Sequence, residues 1–185
     1  KEVRNKVEAF STALKNVGIL EGDRVVIVSE NRPEWQIADL AIMTIGAITV
    51  PAYITSTTND YEYIIQHSGA RCLIVSNHDL AKKALPAVLN SPKCQTVIKI
   101  DDDDKKYTEP VTVLSWNLLM EDNGDHNFQL EEKIKKLKRS DTACIIYTSG
   151  TGGNPKGVML SHGAMLTNCK GAEHLLHDLI DRLSE

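Results

Sequence analysis

Runs in which every residue is apolar constrain this chain most. Val25-Val26-Ile27-Val28, Cys72-Leu73-Ile74-Val75 and Ala143-Cys144-Ile145-Ile146-Tyr147 show no alternation with polar residues. A strand of that kind has no side to give to water, because successive side chains point to opposite faces. It needs cover on both faces, which is the arrangement of mainly parallel sheets flanked by helices.

The segments between these runs supply the helices. Val3, Val7, Phe10, Leu14 and Val17 recur at helical spacing, and Gly18 stands where a cap would end the helix. Pro33 opens a second helix at a position where its missing N–H does no harm. Trp35, Ala38, Ala41, Ile42 and Ile45 make that helix apolar over much of its girth. Ile48 to Tyr53 reads as a strand, Tyr61 to His67 as a short helix, and Leu80 to Leu89 as a further helix. Thr96 to Ile100 and Val111 to Leu114 read as strands, and Leu130, Ile134 and Leu137 mark one more short helix. The charge run Asp101 to Lys106 reads as an exposed loop, and Asn123 to Asn127 as a polar turn. Alternation at this pace predicts an α/β fold with a mainly parallel sheet and flanking helices. No linker long enough to separate two domains interrupts residues 1–185.

Composition removes several function classes. Hydrophobic residues at 42% and charged residues at 25% are the balance of a soluble globular domain. The net charge of −4 is spread along the chain, so no nucleic-acid partner is expected. No apolar run approaches the roughly 20 residues that cross a bilayer, although a peripheral membrane contact stays open. Cys72, Cys94, Cys144 and Cys169 are scattered without a C-x-x-C pair. Burial as small hydrophobes is favoured over disulfides or a metal site, and points to a reducing, cytoplasmic location.

The strand 143–147 runs directly into Thr148-Ser149-Gly150-Thr151-Gly152-Gly153-Asn154-Pro155-Lys156-Gly157. Val158-Met159-Leu160 then form a short strand, and Ser161 is placed to cap a long helix. That helix carries Met165, Cys169, Ala172, Leu176, Leu179 and Leu183 at helical spacing. Each part of the loop has a use. Its four glycines let backbone N–H groups approach an anion without obstruction by a Cβ. Thr148, Ser149 and Thr151 add hydroxyl donors, Lys156 adds a positive charge, and Pro155 restricts the backbone before it. A polyphosphate tail requires those features. The rival is a flexible connector with a solvated lysine, and the loop's position after a buried strand argues against it. A nucleotide-hydrolase loop of the form G-x-x-x-x-G-K-[ST] does not fit, since Pro155 precedes the lysine and Gly157 follows it.

Residues 147–158, YTSGTGGNPKGV, resemble the Y-T-S-G-T-T-G-x-P-K-G-V signature of the adenylate-forming superfamily, which includes acyl-CoA synthetases, peptide-synthetase adenylation domains and firefly luciferase. One specified position departs, with Gly152 where the family has threonine. The segments Gly18 to Val25, Asn31-Arg32-Pro33-Glu34-Trp35 and Gly46 to Tyr53 are similar to the long-chain fatty acyl-CoA synthetase branch.

The resemblance implies that residues 1–185 form part of the large N-terminal domain of an adenylate-forming enzyme, a fatty acid–CoA ligase. ATP, Mg²⁺ and coenzyme A would be its cofactors, and a carboxylic acid its small-molecule substrate. A carboxylate would attack the α-phosphate to give an acyl-adenylate and pyrophosphate, and the coenzyme A thiol would then displace AMP. Thr148, Ser149, Gly150, Thr151, Gly152, Gly153 and Lys156 would bind the phosphates, Lys156 acting electrostatically. No Y-G-x-T-E segment, S-T-G-D segment or C-terminal domain with its catalytic lysine is found in these residues. The expectation is therefore a fragment inactive alone, with no complete catalytic set and no metal site. Its apolar strand 143–147 and long-helix stripe would favour self-association. The alternatives are a non-catalytic phosphate- or nucleotide-binding module and another adenylate-forming ligase.

Other residues read as structural. His174 and His177 beside Glu173 suit a solvated helix face better than a metal, and His162 a turn of the chain. Trp35 and Trp116 suit core contacts, while Tyr147 either packs or touches a ligand.

Overall fold

A computed structural model of the chain describes residues 1–102, 111–121, 130–148 and 154–183. Helix α1 (Glu2–Asn16) leads into β1 (Arg24–Val28), α2 (Pro33–Thr44) and β2 (Ile48–Ala52). Then come α3 (Thr58–Ser68), β3 (Cys72–Val75), α4 (His78–Leu89), β4 (Thr96–Lys99), β5 (Thr112–Ser115) and α5 (Trp116–Glu121). The chain continues through α6 (Leu130–Lys136), β6 (Thr142–Thr148), β7 (Lys156–Ser161) and α7 (His162–Leu183). The expected turn 123–127 and the charge run from residue 103 onward lie outside the described residues.

The strands form one sheet in the order β5-β4-β3-β1-β2-β6-β7. Every neighbouring pair is parallel except β6–β7, an antiparallel hairpin. The period-2 rule explains the unbroken apolar runs of β1 and β3. Val25 and Ile27 of β1 pack with Phe10, Leu14, Ala38 and Ile42 from α1 and α2, whereas Val26 and Val28 pack with Tyr61, Ile65 and Ala84 from α3 and α4. These four residues of β1 are fully buried. At about 1.5–3 kcal/mol for each large apolar side chain removed from water, such strands dominate the core's stability.

Two of the short segments, Gly18 to Val25 and Asn31 to Trp35, hold packing devices. Arg24 donates from Nε to the Ser68 carbonyl at 2.7 Å and from Nη2 to the Gly69 carbonyl at 2.9 Å, closing the last turn of α3. Gly69 sits at φ 63° and ends that helix, and a Cβ there would lie 2.8 Å from the guanidinium. Arg32 pairs with Glu34 at 2.7 Å and Asp101 at 2.9 Å, tying the start of α2 to the end of β4. Trp35 is partly buried against the α1–α2 core.

The six-residue helix α5 has too few turns to show a period and was not legible in the sequence. It forms where Trp116 docks on Phe10, ring centroids 4.0 Å apart. Cys72, Cys94 and Cys144 are buried free thiols, as expected, and Cys169 is an exposed one. Burial pushes Cys72 far up and Cys94 up to about 12, so both stay protonated and unreactive at neutral pH.

Asp39 of α2 shows a cost of burial. Desolvation raises its carboxyl above the ordinary aspartate value, against a smaller pull from the Thr49 hydroxyl. Thr49 Oγ1 is itself buried and makes no hydrogen bond of good geometry among the described residues. A folded-state pKa above the unfolded one means that the native state binds more protons between the two values, so stability falls as pH rises through that window. Asp39→Asn is therefore expected to raise the melting temperature at pH 7, with the gain shrinking toward pH 4. A gain independent of pH would exclude the carboxylate as its source.

At the far edge of the sheet several apolar side chains of the described residues face solvent. Met159 of β7 is 70% exposed, and Leu166 and Leu176 of α7 lie about half in solvent. No helix of the described residues is long and apolar enough to cross a membrane. The isolated 185-residue chain is expected to self-associate through this edge. Sedimentation over a concentration series reads the outcome, and a single monomeric species throughout would overturn it.

Candidate functional site

The five parallel strands that neighbour one another from β4 to β6 end on one edge of the sheet, where open α/β folds bind ligands. β6 reaches that edge at Thr148, and the chain returns along β7 beginning at Lys156. Thr148 and Lys156 are cross-strand partners, so their side chains lie on the same face, about 5 Å apart at the backbone. Both are exposed. Thus the structure brings together two of the residues singled out by sequence, a hydroxyl and an ammonium at the mouth of the glycine-rich turn. Ser149, Gly150, Thr151, Gly152 and Gly153 lie outside the described residues.

One register position inward, Tyr147 faces Gly157. A Cβ on Gly157 would lie 2.8 Å from Ile145 Cγ2 and 3.3 Å from the Tyr147 ring. The glycine after the lysine therefore makes room for an aromatic ring across the hairpin, a packing demand separate from any phosphate.

That ring belongs to a cluster that sequence reasoning missed. Tyr147 Oη lies 2.8 Å from His67 Nδ1, and the Tyr63 hydroxyl donates to the Pro155 carbonyl at 2.9 Å. Tyr63 stacks on His67 with centroids 5.2 Å apart, and Tyr147 stands edge-on to both. Burial, reinforced by the neighbouring Tyr63, raises the Tyr147 phenol, so its hydroxyl keeps its proton. Tyr63 and His67 are four residues apart on α3, which places them on one face. Their spacing was visible in the sequence, but their partners are 80 and 92 residues away.

The remaining assignments are simpler. Ser161 Oγ accepts from the Ala164 N–H at 3.2 Å, the expected cap of α7. His162 turns the chain, its N–H bonded to the Asp141 carbonyl. The side chains of His174 and His177 lie outside the described residues. Among the described residues no cluster of His, Cys, Asp or Glu could hold a metal ion. Hydroxyl and ammonium groups suit phosphate oxygens, so the donors present fit a nucleotide tail better than a bare cation.

A family model described as "AMP-binding enzyme" matches residues 1–183. The chain belongs to the AMP-binding enzyme family. It is 32% identical over 171 residues to the long-chain-fatty-acid–CoA ligase FadD15 of Mycobacterium tuberculosis, covering 92% of this chain and 27% of that protein. It is 27% identical over 189 residues to long chain acyl-CoA synthetase 3 of Arabidopsis thaliana, covering the whole chain and 28% of the relative. The chain thus spans little more than a quarter of these relatives' length. Among solved structures it is similar to the anthranilate CoA ligase AuaEII in complex with anthranoyl-AMP, with a TM-score of 0.73 and 26% identity over 86% of this chain and 29% of that one. The luciferase-like enzyme of the mealworm Zophobas morio shares the fold, with a TM-score of 0.72 and 22% identity over 86% of this chain and 35% of that one.

Proposed function

We propose that residues 148–156 hold the β- and γ-phosphates of ATP in a fatty acid–CoA ligase of which this chain forms part. The observation that carries the reading is the Thr148–Lys156 pair, set across the mouth of a glycine-rich turn at the carboxyl edge of a parallel sheet. As a carboxylate attacks the α-phosphate, the P–O bond to the β-phosphate breaks and negative charge gathers on the departing pyrophosphate. Lys156 counters that charge, and the Thr148 hydroxyl donates to a phosphate oxygen. Mg²⁺, when bound with the nucleotide, would supply further neutralisation of that charge; no cluster of His, Cys, Asp or Glu among the described residues could hold it. The acyl-adenylate then passes to the coenzyme A thiol, releasing AMP.

A long-chain fatty acid is the proposed substrate, because the named relatives at 32% and 27% identity act on that class. Carboxylate-dependent ATP–pyrophosphate exchange by the full-length protein, read against a panel of acids, tests the reading. Exchange is expected with long-chain fatty acids, followed by thioester formation when coenzyme A is added. Exchange with aromatic acids alone would move the protein to another ligase of the family. Nucleotide binding without exchange would leave a binding module. The 185-residue chain by itself is expected to give no exchange, since two strand ends and one loop do not position the carboxylate.

A further inference from the structure

We infer that Tyr63 and His67 are positioning residues that clamp both limbs of the phosphate-binding turn onto helix α3, an inference that rests on the function proposed above. Tyr63 holds the exit limb by donating to the Pro155 carbonyl at 2.9 Å, one peptide before Lys156. His67 holds the entry limb through the Tyr147 hydroxyl at 2.8 Å, one residue before Thr148. The two groups that flank the turn are thus each adjacent to an anchored residue.

Physical chemistry gives the clamp a purpose. A binding segment loses conformational freedom when a ligand fixes it. Fixing its two ends beforehand reduces that loss at the moment of binding. The Pro155 carbonyl and the Lys156 N–H share one planar peptide, so holding the carbonyl toward α3 also sets the direction of the lysine's backbone. Packing alone does not need the Tyr63 hydroxyl, because a phenylalanine would stack on His67 equally well.

Helix α3 is built to serve as the fixed side. Thr57 and Asp60 form a reciprocal capping box at its start, with Thr57 N–H to Asp60 Oδ2 at 2.8 Å. Gly69 and Arg24 close its other end. Tyr61, on the same helix, is fully buried and donates to the Tyr53 carbonyl at 2.9 Å. The His67–Tyr147 contact holds with either ring tautomer, since a phenol can donate to a bare Nδ1 or accept from an Nδ1–H.

The test uses the full-length protein with Tyr63→Phe, His67→Leu, His67→Asn and, as a reference, Lys156→Ala. Hydrogen exchange over residues 142–161 reads the limbs, and steady-state kinetics read ATP. Tyr63→Phe is expected to speed exchange at the exit limb and raise the KM for ATP by about 3- to 10-fold, the scale of one hydrogen bond. Exchange in β1 and β3 should not change. His67→Leu should do the same at the entry limb, and His67→Asn, which keeps a polar atom near the Nδ1 position, should recover part of the loss. Unchanged limb exchange, or faster exchange with unaltered ATP kinetics, would overturn the clamp. If Lys156→Ala weakens ATP use while Tyr63→Phe and His67→Leu do not, the clamp alone fails. Lack of carboxylate-dependent ATP turnover in the unmodified protein removes the proposed function, and the positioning role with it.

Discussion

Lys156→Ala is expected to slow adenylation by the full-length protein about 10- to 1,000-fold, the range for loss of one electrostatic contact to developing charge. The argument is local. Lys156 opens β7 opposite Thr148 and is exposed, so its truncation leaves no cavity and no buried partner unpaired. Exposed substitutions of this kind usually change stability by no more than about 0.5 kcal/mol. The signature is therefore a large fall in ATP–pyrophosphate exchange at an unchanged melting temperature. Lys156→Arg should retain more activity than alanine, because the charge stays while its position and geometry change. Normal exchange in the alanine variant would show that this lysine does not face the leaving group. The proposed role of the turn would then be lost.

Phe10→Ala is expected to give the largest change in stability, a loss of about 3–5 kcal/mol. Phe10 is completely buried and sits where α1, α2 and α5 meet, its ring 4.0 Å from that of Trp116. Removing it deletes the ring's transfer energy and leaves a cavity that three separately anchored helices cannot close. Against a total of about 5–15 kcal/mol for an ordinary domain, that is a large share. Denaturant unfolding of this chain measures it. Trp116→Ala should show a similar but overlapping loss, since each ring is much of the other's wall and contacting sites do not add. Additive losses would mean that the two rings stabilise the core independently.

The helices and strands were legible wherever a period was long enough to read. The all-apolar run of β1 called for cover on both faces, and Val25 and Ile27 indeed pack on one side while Val26 and Val28 pack on the other. The amphipathic repeat of α1 was clear for the same reason. Helix α5 was not, because six residues carry less than two turns of pattern and the helix depends on a ring contact 106 residues distant in the chain. The stripe of α7 shows the opposite case. Its repeat is regular, yet Cys169, Ala172 and Leu176 are exposed, since periodicity says which residues share a face and not whether anything covers it.

The turn at 148–157 divides in the same way. Its donor chemistry was readable before any fold, because glycines, hydroxyls and a lysine carry their donors and charge wherever they stand. The mainly parallel sheet was readable too, since strands without a polar side admit few arrangements. The antiparallel return of β7 along β6, which sets Thr148 opposite Lys156 and Tyr147 opposite Gly157, is seen in the folded chain alone. Only the tertiary structure could bring Tyr63 and His67 to Pro155 and Tyr147. Those contacts join a helix to a hairpin across 80 and 92 residues of chain, and no local period or spacing encodes a partner at that distance.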